Sequence, residues 1–99
     1  MVYINRPDDG FHIRWTSEAL AQREEICLES LDHCRRLTGL VNLATMVGHI
    51  QGIPLNEEDP MSLKVMSDVE KTHVVSLTYG LLGDSMTIYG ARCFDFGEP

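Results

Sequence analysis

Residues 17–51, SEALAQREEICLESLDHCRRLTGLVNLATMVGHIQ, decide the fold, because they are the only long run in the chain with helical periodicity. Leu20, Cys27, Leu31 and Cys34 recur at spacings of seven, four and three and share one helical face. Ile26, Leu28 and Leu37 widen that face. Glu18, Gln22, Glu25, Glu29, Asp32 and Arg36 fall opposite. Thr16 or Ser17 is placed to cap the start, and Glu18 stands where the macrodipole favours an anion. Gly39 predicts a stop or sharp bend, which sets a first helix over Ser17–Leu37.

The second half, Leu40–Gln51, has a different character. Leu40, Leu43, Ala44, Val47 and Ile50 make one stripe, and Val41 and Met46 add apolar surface on other sides. A helix apolar on most of its circumference is buried in a core or an interface. Gly48 costs about 1 kcal/mol against Ala in a helix interior, so its presence predicts a close backbone approach. A symmetric homodimer that buries Val41, Met46 and the surface around Gly48 is the expectation, with coverage inside one monomer as the competing one.

Outward from this stretch, the chain is β-rich at both ends. Val2–Asn5 and Phe11–Trp15 flank Arg6-Pro7-Asp8-Asp9-Gly10, which reads as a hairpin turn. Phe11, Ile13 and Trp15 alternate with His12 and Arg14, the pattern of a strand buried on one side. Val74–Tyr79 and Met86–Tyr89 flank Gly83-Asp84, a two-residue turn with glycine first. That register pairs Leu81 with Met86, Tyr79 with Ile88, Leu77 with Gly90 and Val75 with Arg92. A helix running on through Leu77 and Leu81 to Gly83 competes, but the alternation favours the hairpin. Between the helical stretch and this hairpin, Asn56-Glu57-Glu58-Asp59 reads as a solvated acidic loop. Asp59-Pro60 is a helix start, and Met61, Val65 and Val69 at spacings of four predict a third helix from Pro60 to Lys71. The expected architecture is α+β: one domain over residues 1–99, with an antiparallel sheet of two hairpins packed on two or three helices.

Composition narrows the function classes. The chain has 99 residues and a formal charge of −7. An acidic chain is a poor partner for nucleic acid or an anionic membrane, because phosphate binding needs basic patches. No run is long and apolar enough to span a bilayer, and the opening residues lack the pattern of a secretory signal. Cys27 and Cys34 are expected about 10 Å apart along one helix, too far for a bridge. With Cys93 they predict three free thiols and a cytoplasmic setting.

No catalytic, metal or nucleotide pattern stands out. His12, His33, Cys34, His49, His73 and Cys93 could ligate a metal, but none has a recognised ligand spacing. Cys93 and His73 meet at the open end of the second hairpin, a Cys–His pair without an accompanying oxyanion motif. The carboxylates lie in loops or on polar helix faces, where a raised catalytic pKa has no cause. No cofactor is expected. The reading that follows is a non-enzymatic protein-interaction module, of the kind that inhibits, confers immunity or adapts by blocking a larger, basic partner. Glu57, Glu58, Asp59 and Trp15 are its candidate contacts. The alternative is a small-molecule-binding domain with a pocket lined by Met46, Met61, Met66 and Met86.

Overall fold

The structure is a computed structural model that describes residues 12–59, 62–83 and 85–95. It is α+β, with two helices and a five-stranded, mostly antiparallel sheet. The elements are β1 (His12–Trp15), α1 (Ser17–Glu29), α2 (Leu31–Gln51), β2 (Ile53–Pro54), β3 (Lys64–Glu70), β4 (His73–Leu82) and β5 (Ser85–Asp95). The strand order is β1-β5-β4-β3-β2. Both helices pack on one face, α1 against β5 and α2 against β3 and β4.

Three elements depart from the sequence reading. β1 lies parallel to β5, with Ile13 opposite Met86 and Trp15 opposite Ile88. The strand expected at Val2–Asn5, together with Phe11, lies outside the described residues. Second, the third helix is a strand. A spacing of four is also twice the period of a strand, so Val65 and Val69 share a face in either form. Pairing decides it: β3 is zipped to β4 from Lys64↔Tyr79 to Glu70↔His73. The turn joining them was illegible because its residue with positive φ is Lys71, at 57°, where glycine or asparagine is usual. Pro60 and Met61 are outside the described residues.

Third, the long helical stretch breaks at Ser30, not at Gly39. Ser30 is extended (φ −155°, ψ 121°), its N–H donates to the Ile26 carbonyl, and its hydroxyl accepts from the His33 N–H. It therefore closes one helix and caps the next. The break turns α1 so that Ala19 and Ile26 face the core, while Leu20, Leu28 and Leu31 are exposed. Thr16 does cap α1, its Oγ1 accepting from the Ala19 N–H.

The second hairpin forms as read from its turn to Tyr79: Leu81↔Met86 and Tyr79↔Ile88 are paired, and Gly83 takes φ 61°. The ladder then shifts. Thr78 pairs with Gly90, so Tyr89 is an extra residue in β5, a β-bulge. Beyond it Leu77 faces Ala91 and Val75 faces Cys93, not Gly90 and Arg92. One inserted residue exchanges the two faces of a strand. Ala91 turns into the core, and Arg92 turns out to solvent.

The core lies between the layers. Leu37, Leu40, Val41 and Ala44 of α2 meet Met66, Val75, Leu77, Tyr79, Met86 and Ile88 of the sheet. Tyr79 is wholly buried, and its hydroxyl donates to the Gly48 carbonyl at 2.7 Å. A Cβ at Gly48 would stand 2.8 Å from that hydroxyl, and one at Gly52 would also collide with it. The close approach expected at Gly48 is real, but the approaching group is Tyr79 of the same chain.

The two helical glycines should respond oppositely to alanine. Nothing lies within 4 Å of a Cβ at Gly39, so Gly39→Ala is expected to raise stability by about 1 kcal/mol. Gly48→Ala is expected to lower it by about 1–3 kcal/mol, because the ring has nowhere to retreat. Urea unfolding of the two variants measures both.

Tyr79 also makes the fold alkali-sensitive. Burial pushes its phenol from 10.0 up to about 12. Between these values the unfolded chain releases the proton and the folded chain keeps it, so stability present below pH 10 is lost as pH rises through about 12. The loss is expected to reach about 3 kcal/mol. Unfolding measured across this window should show the decline in the wild type and a flatter profile in Tyr79→Phe.

Candidate functional site

Two regions outside the core gather chemistry. The first lies where the N-terminal turn of α2 meets the open end of the β4–β5 hairpin. The Tyr89 bulge turns Cys93 to the helix side, where its Sγ lies 3.2 Å from His33 Nδ1. The His33 ring is 5.7 Å from the His73 ring, centroid to centroid, and tilted by 49°. His73 and Asp95 are cross-strand partners, with Nδ1 3.6 Å from Oδ2. The Cys–His pair that the sequence offered was Cys93 with His73; in the structure His73 stands across from Asp95, and the imidazole against Cys93 is that of His33. His33 stood in the sequence only among scattered candidate ligands, because its meeting with Cys93 needs both the Ser30 break and the bulge.

Arg36 anchors this end. Its Nε donates to Asp68 Oδ2 at 3.0 Å, and its Nη2 donates to the Asp68 and His73 carbonyls at 2.9 and 3.2 Å. Glu70 stands 3.9 Å from Nη1. The hydrogen bond Arg36 donates to the Asp68 carboxylate is the main reason its pKa is raised; burial opposes this. One guanidinium thus ties α2 to both β3 and β4, using the planar fork that lysine lacks.

Beside Cys93 is a groove of about 260 Å³ whose lining includes Gln22, Glu25, Glu29 and Arg92. β1 stops at Trp15, and among the described residues no strand pairs with the rest of β5 on that side. The Ala91 N–H exposed by this ending donates to Gln22 Oε1 at 2.8 Å. Burial pushes the Cys93 thiol pKa up; nearby Arg36 pulls it down and Glu29 pushes it up, with burial prevailing. A nucleophilic cysteine requires the opposite shift.

Cys27 and Cys34 form a disulfide, with Cα atoms 4.5 Å apart. This overturns the expectation of three free thiols. The axial separation assumed one continuous helix, and the Ser30 break folds α1 back onto α2 so that the two residues face each other. The inference of a reducing, cytoplasmic setting loses its basis with it. No helix among the described residues is long and apolar enough to cross a membrane.

The second region is the surface at the C-terminal end of α2. Leu43, Met46 and Ile50 recur along one side of the helix and are exposed. Ile53 of β2 and Leu55 continue the strip, at 68% and 63% exposure. The chain then enters the acidic turn. Asn56 organises it: its Oδ1 accepts from the Glu58 N–H, and its carbonyl accepts from the Asp59 N–H and the Ser62 hydroxyl. Glu57, Glu58 and Asp59 are exposed.

The other residues singled out from sequence sit elsewhere. Val41 is wholly buried in the core and Gly48 is buried under Tyr79, so of the three residues expected at a dimer interface only Met46 is on the surface. The sheet covers the side of α2 that carries Leu37, Leu40, Val41, Ala44 and Gly48, and leaves Leu43, Met46 and Ile50 exposed. Trp15 packs against the core, and the Arg23 guanidinium stacks over its ring at 4.9 Å. Of the methionines proposed to line a pocket, Met66 and Met86 are core residues, Met46 is on the outer side of α2, and Met61 is outside the described residues.

No family model, curated protein or solved structure matches this chain.

Thiol titration of the denatured, unreduced protein should find one thiol per chain, Cys93, and three after reduction. Reduction is expected to lower stability by about 2–3 kcal/mol, the loop-closure value for so short a separation. A count of three without reductant would remove the bridge.

Proposed function

We propose that this protein is a non-enzymatic interaction module that docks a basic protein on the strip formed by Leu43, Met46, Ile50, Ile53 and Leu55, with Glu57, Glu58 and Asp59 as its charged rim. One observation carries the reading: five large apolar side chains are left exposed on consecutive elements and run directly into an ordered acidic turn. An apolar centre with a polar border is the anatomy of a protein interface. Exposed contiguous apolar surface of this kind costs solubility unless something covers it. The acidic rim selects the occupant. Two copies of a chain of charge −7 would bring like-charged turns together, whereas a basic partner gains from them in encounter rate and orientation. Met66 and Met86 are packed in the core and Met46 is on the outer side of α2, which supports the docking strip over the small-molecule alternative.

The test compares capture from native host lysate by the wild type, by Met46→Glu with Ile50→Glu, and by Glu57→Lys with Glu58→Lys, each verified as folded by circular dichroism. A basic protein retained by the wild type is expected to be lost with the first pair. With the second pair its association rate should fall about tenfold or more, and added salt should mimic that loss. Equal capture by all three proteins would rule out this surface.

A further inference from the structure

We infer that the open face of the sheet binds a small aromatic carboxylate, in a pocket of about 340 Å³ whose lining runs from Arg14 to Leu63. Both helices pack on the other face, toward which Ile13, Tyr79, Leu81, Met86 and Ile88 are turned. Side chains alternate along a strand, so Arg14 and Thr87 stand on the open face, and Gly80 leaves a gap there. The three are register neighbours: Thr87 pairs with Arg14 on one side and with Gly80 on the other. Leu63, immediately before β3, follows Gly80 in the same row, because Lys64 pairs with Tyr79. One row across the sheet thus passes from a cation, through a hydroxyl, to an apolar end.

Gly80 makes the apolar half. A Cβ there would stand 3.1 Å from Leu63 Cδ2 and 3.4 Å from Tyr89 Cε2, so glycine lets both side chains settle onto β4. Tyr89 is half exposed and offers its ring to the pocket, with Leu82 beside it. A ligand ring laid against Tyr89 gains offset stacking in addition to burial. The charged half selects the ligand. Among the described residues, no side chain hydrogen-bonds or ion-pairs with those of Arg14, Ser85 or Thr87. In a chain of charge −7, an arginine without a carboxylate, set beside two hydroxyls and apolar walls, is complementary to an anion. Its planar fork matches a carboxylate, and the hydroxyls have protons to donate. Strands about 4.8 Å apart put about 10 Å between the Arg14 and Gly80 backbones, the span of a carboxylate carrying one ring. The acidic turn follows β2, at the opposite edge of the sheet from β1, so its charge opposes the anion least at Arg14. Apolar walls with a few convergent polar groups are the anatomy of a small-ligand site. This pocket lies across the sheet from Met66 and Met86, and it shares no residue with the docking strip.

Phenylpropionate is the probe, titrated into isotope-labelled protein and followed by amide chemical shifts. Saturable shifts at millimolar probe are expected at Arg14, Gly80, Thr87 and Tyr89. Phenylpropanol, which lacks the charge, and acetate, which lacks the ring, should each bind at least about tenfold more weakly. Arg14→Gln should weaken binding about tenfold or more, and Arg14→Lys should restore only part of it. Arg14 is exposed, so neither variant disturbs the core. The site is overturned if these amides show no saturable shifts, if the alcohol or acetate binds as well as the probe, or if Arg14→Gln leaves affinity unchanged. Shifts confined to residues 43–55 would also overturn it, and would place the probe on the docking strip.

Discussion

The buried hydroxyl of Tyr79 is the constraint from which the rest of the structure follows. A phenol placed in an apolar core needs a partner, because an unmet hydroxyl there costs roughly as much as a lost core contact. The nearest acceptor is the Gly48 carbonyl, and it is within reach only because Gly48 and Gly52 have no side chains. This contact sets how closely α2 lies on β4. With that distance set, Leu37, Leu40, Val41 and Ala44 fall onto the sheet in register with Val75, Leu77, Met86 and Ile88. Gly48 gives up helix propensity so that a polar group can be buried satisfied.

Two local irregularities then create the surface chemistry. The Ser30 break lets α1 cross to β5 while α2 stays over β3 and β4, and brings Cys27 against Cys34. The Tyr89 bulge reverses the faces of β5 beyond it and sends Cys93 inward to His33. Without the bulge, alternation would point Arg92 into the apolar layer, where a guanidinium lacking a carboxylate would be costly. The bulge thus resolves a conflict in the strand's own pattern, and the His33–Cys93 contact is its by-product. Arg36 holds the same end together, so the cluster rests on an anchored frame.

The two ends of α2 carry different surfaces. Its N-terminal turn gathers imidazole, thiol and carboxylate groups; its C-terminal half exposes an apolar strip that leads into the Asn56-organised acidic turn. The disulfide also changes the context in which Cys93 is read. In a chain whose other two cysteines are joined, the remaining thiol, Cys93, is held 3.2 Å from an imidazole, and burial raises its pKa and so keeps it in the thiol form.

Local chemistry alone determined several features. Thr16 caps a helix because a hydroxyl there meets an orphan N–H. Gly83 turns a hairpin because its φ is positive, and Leu81, Tyr79, Met86 and Ile88 share a face because side chains alternate. Asn56–Asp59 is an exposed turn because nothing in it gains from burial. Each of these is settled within a few residues. The tertiary structure decided the rest. Spacing of four left Lys64–Glu70 open to helix or strand until β4 supplied a hydrogen-bonding edge. Gly39 and Ser30 were both possible breaks, and packing of Ile26 and Leu37 on one sheet selected Ser30. The parallel pairing of β1 with β5 joins residues more than seventy apart, and the meeting of His33 with Cys93 joins residues sixty apart. Such contacts leave no trace in neighbouring residues, because their energy is released only when distant segments exclude water from between them.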